Sequence, residues 1–121
     1  MIKRAIPVLR VSDTERTARF YCDSLGFEVR FRYHADNALA NPSYMGLERD
    51  GVVLHVSSFA GDGTVGGCAI LLVDDVDALH DEFVSRNVPI ALPPTDQTWG
   101  NREMYVKDAD GNTLRFIREG S

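Results

Sequence analysis

The segment Leu9-Arg10-Val11-Ser12-Asp13 returns later in the chain as Leu71-Leu72-Val73-Asp74-Asp75, and an amphipathic helical pattern follows each copy. An internal repeat of this kind constrains the fold more than any single motif, because each copy must be one supersecondary unit. In the first helix Ala18, Tyr21, Cys22 and Leu25 stand at i, i+3, i+4 and i+7, and in the second Val76, Leu79, His80 and Phe83 repeat the spacing. Ser12-Asp13-Thr14-Glu15 reads as a capping box, with Glu15 reaching back, while Asp74 or Asp75 caps the second helix. Gly26 and Asn87 are residue types that close helices in the left-handed conformation.

A second match pairs Asp50-Gly51-Val52-Val53-Leu54-His55-Val56 with Asp110-Gly111-Asn112-Thr113-Leu114-Arg115-Phe116. Asp-Gly is a turn signal, and alternating apolar residues follow it. Each half is therefore predicted to be strand, helix, then three strands. The first half has strand Ala5 to Val11, helix Thr14 to Leu25, and strands Phe27 to Tyr33, Tyr44 to Arg49 and Val52 to Ser58. The second has strand Cys68 to Val73, helix Val76 to Arg86, and strands Pro89 to Ala91, Glu103 to Lys107 and Thr113 to Arg118. The expected class is α+β: one domain, 1–121, made of a βαβββ module at 1–60, a glycine-rich linker at 61–67 and a second βαβββ module at 68–121. A unit of about 55 residues is marginal alone, so the halves should share a curved mixed sheet or pair with a second chain. The linker lacks the strand and Lys-Ser/Thr context of a phosphate loop.

Alternation assigns the faces. Ala69, Leu71 and Val73 point under the helix, while Cys68, Ile70 and Leu72 point away. The matching strands extend this second face with Ile6, Val8 and Arg10, then Val53, His55, Ser57 and Phe59, then Thr113, Arg115 and Ile117. An apolar face with sparse polar groups is a natural ligand cup; the competing reading packs it against another subunit or a protein partner.

Composition bears on the partners. Thirteen Lys and Arg against eighteen Asp and Glu leave a net charge of −5, and no basic cluster interrupts that balance. Nucleic acid is therefore not expected, since phosphate binding needs concentrated positive charge. Cys68 to Val73 is far shorter than the roughly 20 residues that span a bilayer, and no apolar stretch follows Lys3 and Arg4, so a cytoplasmic protein without membrane span or signal peptide is expected. The cysteines, Cys22 and Cys68, are read as small core residues. No nucleophile motif is present.

Four stretches carry a family resemblance: Pro7-Val8-Leu9-Arg10-Val11-Ser12-Asp13, Phe20-Tyr21-Cys22-Asp23-Ser24-Leu25-Gly26-Phe27, Val73-Asp74-Asp75-Val76-Asp77-Ala78-Leu79 and Asp108-Ala109-Asp110-Gly111-Asn112. Together they resemble the vicinal-oxygen-chelate superfamily of glyoxalases, extradiol dioxygenases and bleomycin-resistance proteins. The resemblance implies paired βαβββ modules and cups completed in a homodimer. It also implies metal-ligand slots, which fall here on Ile6, His55, Cys68 and Arg115. Ile6 and Cys68 stand at the offset relating Leu9 to Leu71, and His55 and Arg115 at that relating Asp50 to Asp110. A catalytic metal wants about three protein ligands, and a permanent cation at Arg115 repels one. The expectation is thus no metal and no cofactor.

Thr98-Trp99-Gly100-Asn101-Arg102-Glu103 resembles the Trp-Gly-Arg-Glu stretch of bleomycin-resistance proteins, in which the tryptophan stacks on the drug and the glycine admits close backbone approach. The expected ligand-binding set is Trp99, Gly100, Phe31, Tyr44, His55, Ser57, Phe59 and Arg115, with no catalytic residue. The expected activity is sequestration of a small molecule, a bleomycin-type antibiotic, by a homodimer. The alternative is a metal-dependent lyase or dioxygenase using ligands such as His55 and Glu103.

Overall fold

The computed structural model describes residues 1–120. Its elements run β1 (Val8–Arg10), α1 (Thr14–Arg19), β2 (Glu28–His34), β3 (Ser43–Arg49), β4 (Val52–Ser57), β5 (Cys68–Leu72), α2 (Val76–Ser85), β6 (Leu92–Asp96), β7 (Arg102–Lys107) and β8 (Thr113–Arg118). This is the α+β architecture of two βαβββ units. Its strands form two separate four-stranded mixed sheets, one per module, ordered β1-β4-β3-β2 and β5-β8-β7-β6. In each, the first strand lies parallel to the fourth and the other pairs are antiparallel. The register reproduces the repeat: Val8 pairs with His55 in the first sheet and Ile70 with Arg115 in the second.

Both helix starts use aspartate. Asp13 Oδ1 accepts from the amides of Glu15 and Arg16 at 3.0 and 3.2 Å, and Asp75 Oδ1 from the amide of Ala78 at 2.9 Å. The reach-back expected of Glu15 is not made. Its carboxylate accepts instead from Arg32 Nε at 2.9 Å, and the Ser12 hydroxyl donates to Asp110. Helix α1 widens over Phe20–Ser24 into a π turn, in which the Leu25 amide donates to the Phe20 carbonyl. Gly26 and Asn87 both have positive φ, as their placement at helix ends required.

Two strands differ from expectation. β1 begins at Val8, leaving Ala5 to Pro7 outside the ladder, although the Pro7 carbonyl still accepts from the His55 amide. The strand expected at Pro89 to Ala91 lies at Leu92–Asp96 and contains Pro93 and Pro94. It is tolerated there because β6 pairs only with β7, and an edge strand can dispense with ladder donors.

One core joins the halves. Leu9, Leu54 and Val56 from the first sheet pack in the same buried cluster as Leu71, Met104, Leu114 and Phe116 from the second. The outward face of β5 carries Cys68, Ile70 and Leu72, all exposed, so Cys68 is not the core residue expected; alternation gives the interior positions to Ala69 and Leu71. Cys22 is half-buried.

Polar contacts lock the modules together. Arg49 donates from Nη1 and Nη2 to the two carboxylate oxygens of Glu82 at 2.8 Å, and from Nη1 also to the Leu25 carbonyl. The buried Tyr21 phenol donates to Asp108 at 3.0 Å. Burial and the adjacent Asp108 carboxylate push this phenol far above the ordinary tyrosine range. In the unfolded chain a tyrosine ionises near pH 10, so stability falls as pH rises through about 10. Tyr21→Phe is expected to cost about 1 kcal/mol at neutral pH and to flatten that alkaline loss, read by urea unfolding at pH 7 and 10.5.

Candidate functional site

The faces turned away from the helices carry the chosen side chains, and the structure gathers them into two clusters, one on each sheet. On the first, Phe31 of β2, Tyr44 of β3 and His55 of β4 converge. Phe31 and Tyr44 stack with ring centroids 6.1 Å apart, and both rings meet His55 edge-on at 5.2 Å. Phe59 stacks at 6.2 Å on Tyr33, an aromatic that sequence reasoning missed although it shares a strand face with Phe31 two residues away.

The position opposite Phe31 explains how that ring lies flat. Gly46 is its cross-strand partner, and a Cβ there would sit 2.3 Å from Phe31 Cε1. Gly46→Ala is therefore expected to eject the ring from its stack on Tyr44 and to weaken ligand binding about tenfold, with a stability change within about 1 kcal/mol. Calorimetric titration alongside thermal melts separates the two effects.

Tyr44 Oη and His55 Nδ1 lie 2.7 Å apart. Burial and the Asp62 carboxylate raise the Tyr44 phenol, which keeps it a donor; burial and the Arg4 cation lower His55, which favours the neutral, accepting ring. The remaining proton then sits on Nε2. Ser57 departs from its expected role as a polar wall. It is fully buried, donates its hydroxyl to Asp62 at 2.6 Å and accepts from the Phe59 amide, so it fixes the chain after β4 instead of meeting a ligand.

On the second sheet Trp99, Glu103, Tyr105 and Arg115 form the other cluster. Trp99 lies in the β6–β7 loop, which is pinned by the Gln97 amide on the Asn101 carbonyl and the Gly100 amide on the Gln97 carbonyl. Gly100 has φ +99°, a conformation closed to most side chains, so its role in the structure is to close this turn. Trp99 is 61% exposed, yet its indole Nε1–H donates to Glu103 Oε2 at 2.8 Å. Glu103 Oε1 accepts from Tyr105 Oη at 2.7 Å and Arg115 Nη2 at 2.6 Å. The Arg115 guanidinium carbon stands 5.0 Å from the Tyr105 ring centroid. Burial alone would raise the Glu103 carboxyl, but hydrogen bonds from Arg115, Tyr105 and Trp99 outweigh it and hold the group below the ordinary glutamate value.

A metal ion does not fit these residues. Among the described residues no group of three or more His, Cys, Asp or Glu side chains could hold one. His55 and Cys68 sit on different sheets, Ile6 offers no donor atom, and Arg115 brings a cation to the last slot. Glu103, the other candidate ligand, has both oxygens engaged by three donors. A cavity of about 420 Å³ opens elsewhere, where the modules meet beside Leu25, Phe27, Val52, Leu72, Leu79 and the Arg49–Glu82 pair, and it includes none of the chosen side chains.

The comparisons agree with the fold. A family model described as "Glyoxalase superfamily protein" matches residues 1–121. A bleomycin resistance protein of Geobacillus stearothermophilus is 27% identical, over 96% of each chain. Two solved structures superimpose with TM-scores of 0.78 at 26% identity. One is a bleomycin resistance determinant encoded on transposon Tn5, with 98% of both chains covered. The other is a bleomycin-binding protein complexed with bleomycin, covering 98% of this chain and 99% of that one.

Proposed function

This chain belongs to the glyoxalase superfamily, and from that membership we propose that it sequesters a small molecule, an antibiotic of the bleomycin class with a planar heteroaromatic part, in the cytoplasm, without a metal ion. The observation that carries the reading is the pair of aromatic clusters: the Phe31–Tyr44–His55 stack on one sheet and the tethered, exposed Trp99 on the other. Aromatic faces suit planar heteroaromatic ligands, each stack contributing about 0.5–1.5 kcal/mol beyond area burial. The relatives named for bleomycin resistance and bleomycin binding support the same ligand class.

The binding unit is the whole domain, modules 1–60 and 68–121 joined by the linker 61–67. Each module carries half of the aromatic wall, and we assign the complete pocket to a homodimer that juxtaposes the halves of two chains. Val8, Phe31, Tyr33, Ile70, Leu72 and Trp99 are exposed in the single chain and supply the apolar surface such a dimer covers. Of the chosen residues, Trp99, Phe31, Tyr44, Phe59, His55 and Arg115 face the ligand, Gly100 shapes the loop, and Ser57 supports from beneath.

The test uses the only tryptophan in the chain as its reporter. Titrating chelator-treated protein with metal-free bleomycin is expected to give a saturable change in Trp99 fluorescence, and calorimetry should show the same binding lost in Trp99→Ala. Absence of heat and fluorescence change at several hundred micromolar drug would sink the antibiotic assignment. A requirement for added transition metal would sink its metal-free form.

A further inference from the structure

Glu103 is a charged side chain among the fully buried residues of the chain. It is fully buried on β7, beside the ligand-facing cluster, and it collects donors from three separate elements. Trp99 reaches it from the β6–β7 loop, Tyr105 from two residues along its own strand, and Arg115 from β8. Arg115 stands directly across from Tyr105 in the β7–β8 ladder, so the guanidinium, the phenol ring and the carboxylate are placed by strand register, with no loop involved. Trp99 alone comes from a loop, and alone among the three donors is largely exposed.

An exposed indole on a loop ordinarily samples several rotamers, and a ligand that stacks on it must first freeze one. A hydrogen bond to an ionised, buried acceptor is the stronger kind and is specific in direction. We propose that Glu103 is the positioning residue of this half-site, holding the Trp99 indole and the Arg115 guanidinium in the orientation a planar ligand meets. This deepens the sequestration reading and rests on it for the ligand.

The arrangement also sets which ligands the half-site accepts. Arg115 would by itself place a cation beside the indole, but Glu103 neutralises it at 2.6 Å. What remains is an indole and a guanidinium held on one neutralising carboxylate, with the guanidinium over the Tyr105 ring. A cationic drug then meets no net repulsion from Arg115, and the indole face itself attracts a cation. Arg115 depends on Glu103 in turn, because its Nε is buried without a hydrogen-bond partner among the described residues.

The experiment has a ligand-free arm and a bleomycin arm. In the free protein, Glu103→Leu is expected to lower Trp99 fluorescence anisotropy and to raise the acrylamide quenching constant about twofold, with Glu103→Gln, which keeps one acceptor, in between. Tyr105→Phe removes a donor without touching the indole tether and should leave both readouts at wild-type values. In the bleomycin arm, Glu103→Leu is expected to bind about tenfold more weakly and Glu103→Gln to recover part of the loss. Should Glu103→Leu fail to fold, Glu103→Gln decides by the same readouts. Unchanged anisotropy and quenching in a folded Glu103 variant would overturn the proposal, as would altered Trp99 mobility with unchanged affinity. A wild-type protein that ignores bleomycin would overturn only the antibiotic assignment, since the ligand-free arm still decides what Glu103 does to the indole.

Discussion

Asn112→Ala is expected to lower the unfolding free energy by about 3 kcal/mol, more than any surface substitution should, because this side chain closes three hydrogen bonds in a fully buried place. Its Nδ2 donates to the Arg10 carbonyl at 2.9 Å and to Asp108 Oδ2 at 3.0 Å, and its Oδ1 accepts from the Gly67 amide at 2.8 Å. One residue of the second module thereby serves the end of β1 and the end of the linker. Alanine leaves a backbone carbonyl and an amide without those partners, and an unmade buried bond costs about 1–3 kcal/mol. Asn112→Asp keeps an acceptor for Gly67 but sets a second carboxylate beside Asp108, so it should be no better than alanine near neutral pH. Urea unfolding checks both. A loss below about 1 kcal/mol for Asn112→Ala would show that water replaces the side chain and that the latch is not structural.

Phe83→Ala is expected to cost about 3–5 kcal/mol, a large share of the roughly 5–15 kcal/mol available to a domain of this kind. Phe83 is completely buried on α2 and meets Phe116 of β8 edge-on, centroids 5.3 Å apart. Removing the ring forfeits its transfer free energy and leaves a void between helix and sheet that rigid neighbours only partly fill. The melting temperature should fall by more than about 10 °C, at roughly 4 °C per kcal/mol. Phe83→Leu, which keeps most of the volume, should recover well over half of the loss. Differential scanning calorimetry on the three proteins tests the ordering.

These two residues differ in how legible they were. Phe83 was placed correctly by spacing alone, as the i+7 member of the Val76 stripe, because a helix that must bury one face announces it every three to four residues. Asn112 was visible only as part of an Asp-Gly-Asn turn. The sequence offers no local sign that its amide crosses to Arg10, since such a bond joins residues far apart in the chain and leaves no periodicity. The same holds for the site. Phe31, Tyr44 and His55 do come together, and Trp99 does lie beside Arg115 through a shared partner. Ser57 faced the expected way by alternation but was consumed by Asp62, a loop residue whose return toward β4 no strand pattern could forecast. Glu103, a metal ligand in the alternative the sequence leaves open, has its oxygens filled by protein donors in the structure.

By itself the sequence determined the repeat, the two βαβββ units, the faces of β4, β5 and β8 and the register that equates His55 with Arg115. All of these follow from periods of 2 and 3.6 and from turn chemistry, which are local. The tertiary structure alone decided that the modules build separate sheets over one core, that the candidate site is divided between them, and that a buried glutamate ties the indole to the guanidinium. Those outcomes depend on contacts between residues distant in the chain, where packing and polar satisfaction select one arrangement among several that local patterns permit equally.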